Sequence, residues 1–329
     1  MTICAISYIF LNEGDMMKEK KVIDIYKLIA DKYNISITKE LIDNLKNTKD
    51  YNVPDFFLSD GPVVHQSPLT INTFSDIHHH DYYELMYVKN GEMEYFVDQY
   101  TFNLKRGDLL IIPPNVLHKL LDDNEQTCER IVISVTKKYI SDISTKNTDL
   151  LQIFEEITKS KKYNITIKDD MLVKVENYLE ILLDTQFSDK YGDDLLFKIR
   201  FAQLFLLINN NYTSYEIQVS FKSPLIEKII KFIDDNYSKT ITIIDIANNF
   251  NVSSSSISHT FKDETGISIH KYLIKRRMVE AAKLIRESVD LHEVAYTCGF
   301  NDYTSFFRTF KKEYLMTPLE YRKNSFNYK

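Results

Sequence analysis

One pattern constrains this chain more than any other: a short stretch of its C-terminal third occurs twice. The first copy runs from Ile243 to Ala247, continues through Val252-Ser253 and ends in the segment His259 to Glu264. The second runs from Leu291 to Ala295, continues through Phe300 to Asp302 and ends in Arg308 to Glu313. Ala247 and Ala295 stand 48 residues apart, and Phe261 and Phe310 stand 49 apart, so one residue is added at the second turn. A unit repeated at a fixed period is one supersecondary element used twice. Each copy reads as a short helix, a tight turn and a second helix, with Ser253 or Asp302 as the N-cap of the second helix.

The punctuation around the repeat supports this reading. Ser223-Pro224 is a cap followed by proline at the first helical position. Thr242-x-x-Asp245 and Asp290-x-x-Glu293 have capping-box spacing, and Gly266 and Gly299 stand where a helix end favours a left-handed residue. Thr317-Pro318 opens a last short helix. Ile257 with Phe261, and Phe306 with Phe310, are i, i+4 pairs that face inward. The outer face is then Ser255, Ser258, His259 and Lys262 in the first motif (about 243–264). In the second motif (about 291–314) it is Thr304, Phe307, Arg308 and Lys311, with Lys312 beside them. Such groups reach base edges and phosphates in a major groove. A helix from Ser268 to Arg286, buried along Met278, Ala281, Ala282 and Ile285, would hold the two recognition helices about 34 Å apart, one turn of a duplex.

Charge agrees with double-stranded DNA as the partner. The chain is −6 overall, but residues 222–329 hold 17 Lys and Arg against 13 Asp and Glu, a net +4, which leaves −10 for the remainder. Residues 224–323 resemble the DNA-binding domain of the AraC/XylS family of bacterial regulators. The resemblance rests on Ser253, Ile257, Phe261-Lys262, Gly266, Tyr272, Arg277-Met278 and Ala281, then Ala295, Gly299-Phe300, Phe306, Arg308, Phe310 to Lys312, Pro318 and Tyr321-Arg322. Leu315 departs from the family, which has glycine in that turn. Ser254, Ser255 and Ser256 are small for a recognition helix, so base readout there is expected to be weak or water-mediated.

Residues 61–136 are β-rich. Tyr83–Val88 and Met93–Val97 flank Asn90-Gly91, a strong hairpin signal, and further strands are expected at Leu109–Ile112 and Arg130–Val135. His78-x-His80-x3-Glu84-x6-Gly91, with Gly107-x5-Pro113-x-Asn115-x2-His118, resembles the paired motifs of a cupin, a small jelly-roll barrel. Asn115 takes a position often held by glycine and tolerates the left-handed conformation. In cupin enzymes the positions matching His78, His80, Glu84 and His118 hold a metal, and this set suits a divalent transition metal. In a regulator the same residues, with Tyr83 and Tyr95, are read first as the lining of an effector pocket, and no cofactor is required. Tyr82, Tyr87, Phe96 and Phe102 are further candidates for the pocket wall.

Residues 137–221 read as helices over Asp169–Leu183 and Asp194–Ile208, then a linker beginning at Asn209-Asn210-Asn211. The family resemblance makes these helices the homodimer element; packing on their own barrel is the other reading. Residues 1–60 form a leader, helical over Lys18–Lys46. Its apolar start, Met1–Leu11, lacks a basic leading region and a cleavage site and runs into Glu13 and Asp15, unlike a signal peptide; Met16 and Met17 are alternative starts. Three widely spaced cysteines suit a reducing cytoplasm, and no apolar run is long enough for a membrane helix.

The expected fold is therefore a multi-domain α+β chain: a cupin-like sensor, a helical dimerisation segment and, over 222–329, a double helix-turn-helix domain. The expected function is a sequence-specific transcription regulator, not an enzyme, that responds to a small-molecule effector such as a sugar and works with RNA polymerase. Two rivals stand beside it: a metal-dependent cupin enzyme with a DNA-binding tail, and an interaction module whose helices dock protein.

Overall fold

The computed structural model describes residues 61–68, 77–121, 128–168, 170–186, 188, 190–211, 223–314 and 316–327. The expected leader helix, the chain start and the Leu315 turn lie outside these residues. The sensor begins with β1 (Val63–Pro68), β2 (Tyr83–Asn90), β3 (Glu92–Val97), β4 (Tyr100–Lys105), β5 (Asp108–Ile112), β6 (His118–Leu120) and β7 (Glu129–Val135), and β8 (Asn164–Thr166) joins later. They form two antiparallel sheets, β1-β7-β2-β5-β8 and β4-β3-β6, a sandwich of cupin type.

Asn90-Gly91 does not close the expected hairpin. β2 pairs with β5 and β7 while β3 pairs with β4 and β6, so the two strands belong to different sheets. The register shifts between Val88 and Asn90, Gly91 takes φ 79°, and the chain crosses from one sheet to the other. The tight hairpin lies one connection later, between β3 and β4, where Asp98 adopts φ 59° and its N–H donates to the Leu117 carbonyl at 2.8 Å.

Helices α1 (Lys137–Ile143) and α2 (Gln152–Ser160) follow, then α3 (Asp170–Thr185) and α4 (Asp193–Asn211). Leu85, Tyr87, Leu109, Ile131 and Ile133 share one face of the larger sheet and meet Val175, Leu179, Leu204 and Ile208 of α3 and α4. This cover explains why β5 is buried on both faces and reads as a continuous apolar run rather than an alternating one. Strands and helices thus share one apolar core. Asn209–Asn211 ends α4 instead of starting a linker. The Asn209 carboxamide accepts from Ile153 N at 2.9 Å and donates to the Phe205 carbonyl at 2.9 Å, which ties the last turn of α4 to the start of α2.

The C-terminal domain comprises α5 (Pro224–Asn236), α6 (Ile243–Asn249), α7 (Ser254–Thr265), α8 (Ile269–Arg286), α9 (Leu291–Thr297), α10 (Tyr303–Tyr314) and α11 (Pro318–Asn327). The repeat is visible in its geometry. α6 and α9 are both 7 residues long and α7 and α10 both 12, with the added residue in the second turn. Thr242 and Asp245 form a reciprocal capping box. Ser253, Ser268 and Asp290 cap α7, α8 and α9, and Gly266 ends α7 at φ 71°. Ala247, Ile257 and Phe261 are buried in one cluster and Ala295, Phe306 and Phe310 in a second, with α8 contributing to both.

Asp234 of α5 supplies a test of this packing. It lies 3.4 Å from Arg276 and accepts from the Tyr272 hydroxyl at 3.4 Å, yet burial outweighs Arg276 and lifts its carboxyl from 3.8 to about 6. The folded chain therefore holds this proton more tightly than the unfolded chain, and stability rises as pH falls from about 6 to 3.8. Asp234→Asn is expected to raise the melting temperature at pH 8 and to have little effect near pH 4. A lower melting temperature at pH 8 would contradict this account.

Candidate functional site

On the helix-turn-helix face, α7 exposes Ser255, His259 and Lys262, and α10 exposes Thr304, Arg308 and Lys312. Three expected contact residues are less open. Ser258 is half-buried and donates its hydroxyl to the Ser254 carbonyl at 2.6 Å. Phe307 is half-buried against the Tyr303 ring, and Lys311 is also half-buried. The outer faces follow from the caps: Ser253 and Asp302 start the two helices one turn before these residues, accepting from Ser256 N and Ser305 N at 3.1 and 2.8 Å.

The second site lies inside the sandwich. Glu84 projects from β2 of the larger sheet, and His118 opens β6 of the smaller one. His80 comes from the segment that crosses between them, whose neighbour His78 bridges His118 through paired backbone hydrogen bonds of 3.0 and 2.9 Å. His80 and His118 are buried, with ring centroids 4.8 Å apart, and His80 Nε2 faces Glu84 Oε2 at 3.5 Å. One ligand atom from each of His80, Glu84 and His118 lies within 4.8 Å of the other two. His78 stands beside this group rather than in it, its ring edge-on to His118 at 4.1 Å.

The backbone sets the two imidazoles. Nδ1 of His80 lies 2.8 Å from the Tyr82 carbonyl and Nδ1 of His118 lies 2.8 Å from the Val116 carbonyl. A carbonyl only accepts, so Nδ1 of each ring carries a proton, and Nε2 is the nitrogen each ring turns toward the site. Burial, followed by the charge of His78, holds His118 well below the ordinary histidine range. Burial alone would raise the Glu84 carboxyl, but the His80, His118 and His78 side chains gathered around it together keep it well below the usual carboxylate range.

The aromatic candidates separate. Tyr95 stays at the site, buried and stacked 6.2 Å from His118, and the Tyr82 ring stacks on His80 at 4.0 Å. Tyr83 is corrected: adjacent strand residues point to opposite faces, so it turns away from Glu84 and packs on Phe154 at 4.1 Å. Tyr87 leaves by the same face, its hydroxyl donating to Glu176 at 2.7 Å. Phe96 belongs to the cluster shared with the helix-turn-helix domain.

Sequence reasoning passed over the contact between these two sites. Ile77 and Leu117 join the apolar cluster of α5 to α8. His79 Nε2 lies 2.9 Å from the Tyr314 hydroxyl of α10. Asp81 pairs with Arg286 of α8 and accepts from the Tyr321 hydroxyl at 3.0 Å, and Lys119 donates to the Gly266 carbonyl at 2.9 Å. The only local signal for this was the alternation itself. His78, His80 and His118 face inward while residues 77, 79, 81, 117 and 119 face the helices, the period-two pattern of extended chain.

Known proteins fall on the same two regions. Residues 69–161 match the family described as an AraC-like ligand binding domain, and residues 246–324 match a helix-turn-helix domain. The HTH-type transcriptional activator RhaS of Escherichia coli (strain K12) is 21% identical over 270 residues, covering 82% of this chain and 95% of the relative. Among solved structures, ToxT from Vibrio cholerae is 14% identical over 80% of this chain and 99% of its own, with a TM-score of 0.34. The C-terminal domain of AraT, a response regulator from Geobacillus stearothermophilus, is 32% identical over 32% of this chain and 88% of its own, with a TM-score of 0.31. With a sandwich that matches an AraC-like ligand binding domain ahead of a doubled helix-turn-helix, the chain is a DNA-binding transcription regulator similar to those of the AraC/XylS family.

Proposed function

We propose that the chain grips two successive major-groove segments through α7 and α10, and that a small molecule held in the sandwich modulates this grip. The observation that carries the reading is the pair of matched, outward-facing helices on one connecting helix. α8 has 18 residues, a length of about 27 Å, which suits two recognition helices about one duplex turn apart. Ser255, Ser258, His259, Lys262, Thr304, Phe307, Arg308, Lys311 and Lys312 form the contact set. An effector acts by binding one docking state of the two domains more tightly than the other.

Arg308 presents a planar fork of donors suited to guanine, whereas His259 at the equivalent place carries full charge only at low pH. Arg308→Ala is expected to weaken specific binding by about 1–3 kcal/mol, and His259→Ala by less. Fluorescence anisotropy on DNA from upstream of the gene measures both. Unchanged affinity for Arg308→Ala, or the reverse order, would refute the assignment.

The sensor helices support a homodimer. α4 leaves Leu195 and Ile199 59% and 46% exposed, with Leu206 further along the same stripe and Val173 of α3 also open. Exposed apolar residues at i, i+4 and i+11 of one helix suit helix-to-helix packing with a second copy. Leu195→Glu with Ile199→Glu is expected to yield a monomer in sedimentation, and a persistent dimer would exclude this surface. RNA polymerase is the expected protein partner, and a cytoplasmic location fits a chain in which no helix among the described residues is long and apolar enough to cross a membrane. The reading asks for no catalysis.

A further inference from the structure

A buried nitrogen without a hydrogen-bond partner is costly, and the sandwich holds two that converge. Nε2 of His80 and Nε2 of His118 are buried and make no hydrogen bond. Each ring is oriented by its opposite nitrogen, which donates to a backbone carbonyl at 2.8 Å. This is how metal-binding histidines are held, because the backbone contact fixes the tautomer and aims the lone pair. Glu84 adds a carboxylate from the facing sheet, and the three ligand atoms lie within 4.8 Å of one another. Ligands about 2.1 Å from a common ion stand about 3.0–3.4 Å apart, close to the 3.5 Å between His80 Nε2 and Glu84 Oε2.

We propose that His80, Glu84 and His118 bind one divalent transition-metal ion, and that this ion changes how the sensor holds the DNA-binding domain. The inference rests on the regulator reading above and names the chemical class of its effector. The backbone holds both Nδ1 atoms as donors, so the neutral rings and Glu84 turn acceptors toward one point, and converging acceptors suit a cation better than an organic effector. Two imidazole nitrogens and one carboxylate oxygen favour zinc, nickel, cobalt, iron(II) or manganese over calcium and magnesium, which take mainly oxygen ligands.

The coupling follows from chain alternation. His80 is flanked by His79, on Tyr314, and Asp81, on Arg286 and Tyr321. His118 is flanked by Leu117, in the α5–α8 cluster, and Lys119, on Gly266. Drawing the two rings toward one ion therefore moves the backbone that carries the docking contacts. Phe310 and Tyr314 stack within α10 at 4.4 Å, so the His79 contact reaches the second recognition helix directly.

The test uses untagged full-length protein stripped with a chelator and dialysed. Calorimetric titration with Zn²⁺ is expected to give one ion per chain, and Co²⁺ is expected to give visible d–d bands of nitrogen and oxygen ligation. His118→Ala and the shape-conserving Glu84→Gln should each weaken Zn²⁺ binding about tenfold or more, while His270→Ala on the exposed surface of α8 leaves it unchanged. Zn²⁺ should shift the affinity of the native chain for upstream DNA by about fivefold or more. No binding, or binding indifferent to Glu84→Gln and His118→Ala, overturns the metal site even where the stripped protein binds DNA. A metal that binds as expected but leaves DNA affinity unchanged overturns the coupling. Failure of both stripped and loaded protein to bind DNA overturns instead the regulator reading, which the metal titration does not test.

Discussion

Asp81→Ala is expected to separate the melting of the sensor from that of the DNA-binding domain. Asp81 is 6% exposed and its partner Arg286 20% exposed, so the pair is largely withdrawn from water. The same carboxylate accepts from Tyr321, and Arg286 reaches Asn115 at 3.4 Å, so one side chain ties α8 and α11 to the strand segment before β2 and to the loop before β6. Removing one member of a buried pair leaves the other charge poorly compensated and costs about 3–5 kcal/mol, far more than a surface pair contributes. That cost falls on docking, because each domain keeps its own apolar core. Scanning calorimetry should therefore resolve a joint transition of the native chain into two in the variant. Asp81→Asn, which keeps the shape but loses the charge, should lie between them. A single transition at an unchanged temperature in Asp81→Ala would show that this network does not hold the domains together.

Gly299→Ala is expected to damage the second helix-turn-helix more than any single substitution on its outer face. Gly299 adopts φ +81°, and a Cβ there would stand 2.8 Å from the carbonyl oxygens of Tyr237 and Ser238. Those oxygens belong to the backbone turn after α5, which Arg277 of α8 also grips through the Tyr237 and Lys239 carbonyls at 2.8 and 3.0 Å. Neither the turn nor the glycine has room to yield. Left-handed strain of about 1–3 kcal/mol adds to an overpacking cost of about 1–3 kcal/mol. Gly192→Ala provides the control, since it has a similar φ of +88° with nothing within 4 Å of the added carbon. It should show the strain alone. Gly299→Ala is expected to lower the melting temperature of the helical domain by about 8 °C or more and to abolish specific DNA binding, because α9 and α10 lose their seat on α5. Equal effects for the two substitutions would mean that the close carbonyl approach carries no weight.

The helical domain was legible from residue order alone, down to the one-residue difference between its two turns. Its signals are local: a cap such as Thr242 acts on the N–H of Asp245, a glycine such as Gly266 ends the helix it follows, and pairs such as Phe306 with Phe310 lie one turn apart. Local chemistry and tertiary packing favour the same conformation there, so one can be read from the other. Sheet membership was decided only by the tertiary structure. Asn90-Gly91 has the composition of a hairpin and serves as a corner between sheets, because strand partners are chosen by the pairing of distant segments and not by the turn alone. The same holds for Tyr83, whose face became a core only when α2 brought Phe154 against it, and for Asn209, whose polar side chain stays in a helix because Leu150 and Ile153 satisfy it. The histidine motif was legible as a set of residue types. That His78 and His80 face inward while His79 and Asp81 hold the DNA-binding domain depended on a neighbour more than two hundred residues away, which the alternation of the strand segment separates by face but does not name.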